Sequence, residues 1–169
     1  RWYRLNYAEA LFANRDFRLA SIEYKKLLVK EPGNQELFFL LADMYIYDND
    51  FLKAIEVYDN LELIKGVDKM VSMQKHKLYM QLEKRKYAEK ELKNLIAKFP
   101  DDIEALEILS ELYLLNDEKE KAFGVFKKLA VISPENGRVH LTLADYYRDK
   151  GDNMKSFEEL KLAFKSNKL

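Results

Sequence analysis

Cysteine is absent from the 169 residues, which excludes disulfides, zinc-thiolate sites and thiol nucleophiles in one step. Glycine and proline are scarce, five and three, so few residues are present that end helices or force tight turns. With apolar and charged residues both abundant, a nearly all-helical chain is expected. No apolar run approaches the roughly 20 residues needed to span a bilayer, and no secretory leader is visible. The chain opens at Arg1 instead of methionine, which reads as trimming from a longer precursor that would have carried any targeting segment. The compartment stays open, because a cysteine-free chain suits reducing and oxidising surroundings alike. Also missing are a phosphate-cradling glycine loop, a nucleophile elbow and a zinc-protease helix. No enzymatic activity, cofactor or metal is therefore expected. Formal net charge is zero, with the positive excess gathered in residues 69–102 around Lys84, Arg85, Lys86, Lys90 and Lys93. That block reads as a solvated face.

What the chain does contain is a pattern, complete in the stretch from Asn34 to Leu63. Phe38, Leu41, Ala42 and Tyr45 recur at three-and-four spacing, one stripe of a helix. Asp48, Asn49 and Asp50 then break it, since short polar side chains compete for backbone hydrogen bonds. Phe51, Ala54, Tyr58 and Leu61 form the stripe of a second helix. Such a pair leaves apolar surface that only a neighbouring pair can cover. Shifting the chain against itself by 34 residues superposes Ala8, Ala42, Ser110 and Ala144, then Ala20, Ala54, Ala88, Ala122 and Ser156. The same shift aligns Tyr45, Tyr79, Tyr113 and Tyr147, with Leu11 in the first slot, and a row of Tyr24, Tyr58, Leu92, Phe126 and Leu160. Pro32, Pro100 and Pro134 share a further position, where Gly66 replaces the proline and Lys168 ends the series. Five copies begin at Arg1, Gln35, Lys69, Ile103 and Gly137.

A small residue early in the first helix, an aromatic three residues later, an alanine in the second helix, an aromatic four beyond it and a closing proline together resemble the tetratricopeptide repeat. The likeness covers the whole chain as repeats 1–34, 35–68, 69–102, 103–136 and 137–169. The family's leading tryptophan is replaced by Arg4, Phe38, Ser72, Leu106 and His140. The resemblance implies an all-α fold, a right-handed α-solenoid of about ten antiparallel helices. Close approach of paired helices requires small residues at the alanine rows. The third repeat departs from the pattern, with Ser72, Lys75 and His76 where apolar or small residues belong. Its first helix is expected to tilt, shift by about one residue or turn its face, with Val71, Lys75, Leu78 and Leu82 as an alternative stripe. His76 and His140 are read as structural, since no ligand set shares a face with either.

Function in such arrays is placed by the resemblance on the concave face, lined by the first helix of each repeat. The positions facing it hold Leu5, Phe39, Met73, Glu107 and Leu141 in one row and Phe12, Ile46, Met80, Leu114 and Arg148 in another, both mostly apolar. A third row, Glu9, Asp43, Lys77, Glu111 and Asp145, is acidic with one interruption. Tyr47, Met70, Glu104 and Arg138 add to the walls. Apolar residues not needed for a core suggest a docking surface, and methionines an adaptable one. The expectation is a protein-interaction scaffold that holds a peptide or protein segment, with apolar anchors near repeats one to three and basic residues meeting Glu104, Glu107 and Glu111. A chaperone-tail carboxylate clamp is not expected, because its positions hold Leu5, Glu9, Leu40, Met70 and Gln74 instead of cationic donors. Nucleic acid is disfavoured by an acidic groove. The alternatives are a spacer or a self-associating module, the latter through Phe157 and Phe164 on an uncovered final helix. Trp2 suits either the core or the groove.

Overall fold

Asparagine or aspartate precedes four of the five first helices at one repeat position, and there it caps the helix. In the computed structural model, which describes residues 1–166, Asn34, Asp68, Asp102 and Asn136 accept from the backbone N–H groups of Leu37, Val71, Ala105 and Val139 at 3.4, 3.1, 2.9 and 3.3 Å. Each satisfies one of the donors that a helix start leaves open. Lys168, the last member of the proline series, lies outside the described residues. The first helices are α1 (Trp2–Ala13), α3 (Gln35–Tyr47), α5 (Lys69–Gln81), α7 (Ile103–Leu115) and α9 (Gly137–Asp149). The second helices are α2 (Phe17–Lys30), α4 (Phe51–Lys65), α6 (Arg85–Lys98), α8 (Lys119–Ile132) and α10 (Asn153–Ser166). No strand occurs among the described residues. The architecture is an all-α helical repeat.

Every turn between the paired helices has a left-handed residue at the same repeat position. Arg15, Asn49, Glu83, Asp117 and Gly151 have φ of 62°, 58°, 57°, 58° and 80°. A left-handed residue lets the backbone reverse within two or three residues, which sets the second helix antiparallel to the first. Only the fifth copy uses glycine, the residue that tolerates this φ freely.

The chain divides into two compact units, Arg1–Ala88 and Glu89–Leu169. In the first, α3 packs against both α2 and α4. Its core joins Ala8, Leu11, Ala20 and Tyr24 to Leu41, Ala42, Tyr45, Ala54, Tyr58 and Leu61. The alanine rows are buried throughout, as helices in close contact require. The deviant helix α5 has not shifted: it begins at Lys69, in register with α3 and α7. Both candidate stripes are buried, apart from the partly buried Leu82, because the polar members find partners. Lys75, 4% exposed, places Nζ 2.6 Å from Asp59 Oδ1 and 2.8 Å from Glu62 Oε2, and Ser72 Oγ donates to Glu62 at 3.2 Å. His76 Nδ1 lies 3.3 Å from the Ala88 carbonyl. Trp2 belongs to no core: it is 65% exposed, edge-on to Tyr3 at 5.1 Å between ring centroids.

In the second unit, α7 packs on α8 and α9 on α10. Leu106, Leu129, Val139 and Leu143 form a core cluster flanked by partly buried Phe123, Val125 and Phe126. Phe126, at the repeat position of the buried Tyr58, is only partly buried and borders a cleft. His140 fills the tryptophan slot between the Pro134 carbonyl, 2.9 Å from Nε2, and Glu159, 2.6 Å from Nδ1.

Candidate functional site

The first-helix face of the first unit is built by α1, α3 and α5. Leu5, Phe39 and Ile46 are partly buried and pack on the core; the Phe39 ring meets Tyr58 edge-on at 5.6 Å. Phe12 and Tyr47 are exposed. Phe17, at the start of α2, completes a ring cluster with them: centroid distances are 5.9 Å to Phe12 and 5.3 Å to Tyr47, and Phe12 and Tyr47 are 5.3 Å apart. Rings at such offsets attract one another, and the three form one apolar patch. Met80 is partly buried, Lys77 and Met70 are exposed, and Met73 is 8% exposed, which places most of Met73 within the packing of α5.

Glu9 lies three residues before Phe12 on α1 and Asp43 four residues before Tyr47 on α3, about one helical turn from those rings. Glu9 is exposed and Asp43 is partly buried. Among the described residues Asp43 has no hydrogen bond and no ion pair. Burial holds its carboxyl above the usual range. Burial, with the negative charge of Asp43 added, also pushes the Tyr58 hydroxyl up. Tyr24 is raised by burial first, then by Glu9 and Asp43. Glu9 and Asp43 thus bring negative charge near Tyr24, while the same row on α5 carries the exposed Lys77.

The second unit treats its acids differently. Glu111 accepts from Arg138 at 3.1 Å, Asp145 pairs with Arg148 at 2.8 Å, and Asn136 donates to Glu107 at 3.5 Å. Glu104 is exposed and also has an interaction partner. Leu114 and Asp145 border a cleft of about 160 Å³ with Phe123, Phe126, Thr142 and Tyr146. Tyr146 stacks face to face on Phe123 at 3.7 Å and donates its hydroxyl to Glu120, which also holds Lys150. Leu141 is exposed.

Phe17, Phe123 and Tyr146 are the site residues that repeat-register reasoning missed. Phe17 and Phe123 belong to second helices or their starts, and Tyr146 neighbours the aromatic row. A 34-residue shift carries Phe17 onto Phe51 and Phe123 onto Phe157, but the other copies hold no aromatic there, so neither position stood out as a row. Among the described residues no three acidic or histidine side chains come together as a metal site. No described helix is long and apolar enough to cross a membrane.

A family model described as a tetratricopeptide repeat matches residues 77–137. Solved structures extend the likeness over nearly the whole chain. The fold is that of a tetratricopeptide-repeat array. A crystal structure of MamA is 21% identical with TM-score 0.64, covering 95% of this chain and 94% of that one. MamA from Desulfovibrio magneticus is 19% identical with TM-score 0.60, covering 98% and 94%. YrrB, titled a TPR protein with an unusual peptide-binding site, is 16% identical with TM-score 0.59, covering 96% and 84%. Among curated protein sequences none matches the chain. At these identities the TPR likeness fixes the arrangement of helices, while the side chains on the face are this chain's own.

Proposed function

We propose that this chain is a non-catalytic interaction module whose α1, α3 and α5 face docks a segment of another protein. The partner sets apolar side chains against Phe12, Phe17, Tyr47 and Ile46, and a lysine or arginine against Asp43. The observation that carries the reading is Asp43, a partly buried carboxylate with no partner among the described residues. Holding a charge partly out of water costs free energy, which is why burial raises the Asp43 pKa. A partner's ammonium or guanidinium would recover that cost through a charge-assisted hydrogen bond. Glu9 broadens the attraction and the ring cluster supplies anchors that are already ordered. The peptide-binding site named for YrrB is a precedent for such docking on this fold. A phosphate backbone would meet Glu9 and Asp43 and be repelled.

In the second unit Glu107, Glu111 and Asp145 already have partners in the chain. The basic residue of the partner is therefore assigned to Glu9 and Asp43. Peptides selected from a random display library against the immobilised chain test this reading. Enrichment of sequences that pair a basic residue with aromatic or aliphatic neighbours is expected, with affinity reduced by Asp43→Asn and by Phe12→Ala with Tyr47→Ala. Enrichment of acidic sequences, or affinity untouched by these changes, overturns it. Self-association through α10 is a second reading, favoured by the exposure of Phe157 and Phe164. A sedimentation coefficient independent of concentration would remove it.

A further inference from the structure

A larger opening lies on the other side of α3. Phe38, Leu41 and Tyr45 form the floor of a cleft of about 640 Å³ whose walls are α2 and α4. This stripe is turned away from Asp43 and Ile46 on the same helix, since residues 38, 41 and 45 and residues 43 and 46 occupy different arcs at 3.6 residues per turn. The α4 wall follows Lys53, Val57, Asn60 and Ile64 for three turns, and the α2 wall contributes Leu28 and Val29. Val29 and Leu63 at the rim are 82% and 84% exposed. A slot between two helices that both pack on a third has the shape a fourth helix fills.

Repeat symmetry shows what is missing from it. A 34-residue shift carries Lys25, Leu28 and Leu41 onto Asp59, Glu62 and Lys75. In that later copy the chain closes its own charge network, Lys75 lying 2.6 Å from Asp59 and 2.8 Å from Glu62. In the α2/α4 slot the floor is apolar, and Lys25 has only the Tyr45 ring, 5.3 Å from Nζ to the centroid, with no carboxylate among the described residues. Lys53, whose Nζ is 5.6 Å from the same ring centroid, is held by Asp50. Glu56 is the one carboxylate lining the slot and has no ion pair among the described residues. The α2 wall thus presents an unpaired cation and the α4 wall an unpaired anion, with apolar surface between them.

We infer that the α2/α4 slot is a second docking site, distinct from the α1/α3/α5 face, for an amphipathic helix of a partner protein whose apolar stripe is flanked by an acid on one edge and a base on the other. The acid meets Lys25 and the base meets Glu56, which fixes the direction in which the helix lies. Its leucine-type residues at i, i+3 and i+7 follow the three turns of α4.

The probe is a fluorescein-labelled, alanine-rich helical peptide with leucines at that spacing, glutamates on one flank and lysines on the other, titrated by anisotropy against the full chain. Saturable binding is expected, weakened about tenfold or more by Leu63→Glu and by Lys25→Glu, with circular dichroism unchanged because both side chains are exposed. A peptide with lysines on both flanks should bind Lys25→Glu more tightly than it binds the wild type. Asp43→Asn should leave all of these affinities in place. No saturable binding, or binding that Asp43→Asn weakens while Leu63→Glu does not, overturns the proposal. Concentration-dependent dimerisation of the chain alone, abolished by Leu63→Glu, also overturns it and gives the slot to a second copy.

Discussion

The five left-handed turn residues permit one substitution series to be read on a common backbone. Arg15, Asn49, Glu83, Asp117 and Gly151 share φ between 57° and 80° but differ in side chain. A β-carbon in this region costs roughly 1–2 kcal/mol, and less for asparagine or aspartate, whose side chains can hydrogen-bond locally. Glycine removes that cost but gives back about 0.5–1 kcal/mol through its freedom in the unfolded chain. Arg15→Gly and Glu83→Gly should therefore each stabilise by about 0.5–1 kcal/mol, while Asn49→Gly and Asp117→Gly stay near zero. Gly151→Ala should destabilise by about the same amount that Glu83→Gly gains. A Cβ built on Gly151 meets nothing within 4 Å, so any loss there comes from the backbone and not from a clash. For a chain of this size each kcal/mol moves Tm by about 2–4 °C. Urea titrations followed by far-UV circular dichroism, fitted with a nearest-neighbour repeat scheme because arrays need not unfold in one step, measure the series. A neutral Gly151→Ala, or a destabilising Glu83→Gly, would refute the assignment of turn strain.

Lys75→Leu alone should cost about 1–3 kcal/mol by stranding Glu62, less than a fully buried pair because Asp59 is half exposed; Lys75→Leu with Glu62→Leu, which restores the Leu41 and Leu28 pattern, should recover most of it in the same denaturant assay. Burial lowers the His76 pKa, opposed by the Ala88 carbonyl and reinforced by Lys77, so the unfolded chain binds the proton first. Stability should then fall as pH drops below about 6.5 toward the depressed folded pKa, and His76→Ala should flatten that slope. Leu129→Ala, at a site with no exposed surface, should cost about 2–5 kcal/mol, and Phe126→Ala less, since Phe126 is only partly buried. Asp43→Asn should raise stability at neutral pH, because the folded pKa lies above the unfolded one and the charged form is disfavoured there.

A period of 34 residues made helix starts legible to the residue: Gln35, Lys69, Ile103 and Gly137 each open a first helix. The alanine rows marked close approach for the same reason, since packing that repeats along the chain must repeat in residue size. A register shift compares equivalent positions and is blind to pairs that join unequal ones. Arg138 with Glu111, 27 residues apart, and Lys75 with Asp59 and Glu62 are such pairs. They explain why the acids of the second unit are satisfied and why α5 keeps its place. Phe17 was invisible because its partners, Phe12 and Tyr47, come from two different first helices. The α2/α4 slot was equally hidden: its significance lies in a counter-charge present in one copy and missing from another, which appears only once Lys25 and Tyr45 are seen together.

The central claim is that Asp43 is a socket for a partner's positive charge. A double-mutant cycle tests it most directly, pairing Asp43→Asn in the chain with replacement of the basic residue by norleucine in a display-selected peptide, and reading Kd by titration calorimetry. A coupling of about 1–3 kcal/mol is expected, as for a partly desolvated charge pair. Additive losses with no coupling would contradict the account and leave the apolar ring cluster as the sole basis of docking.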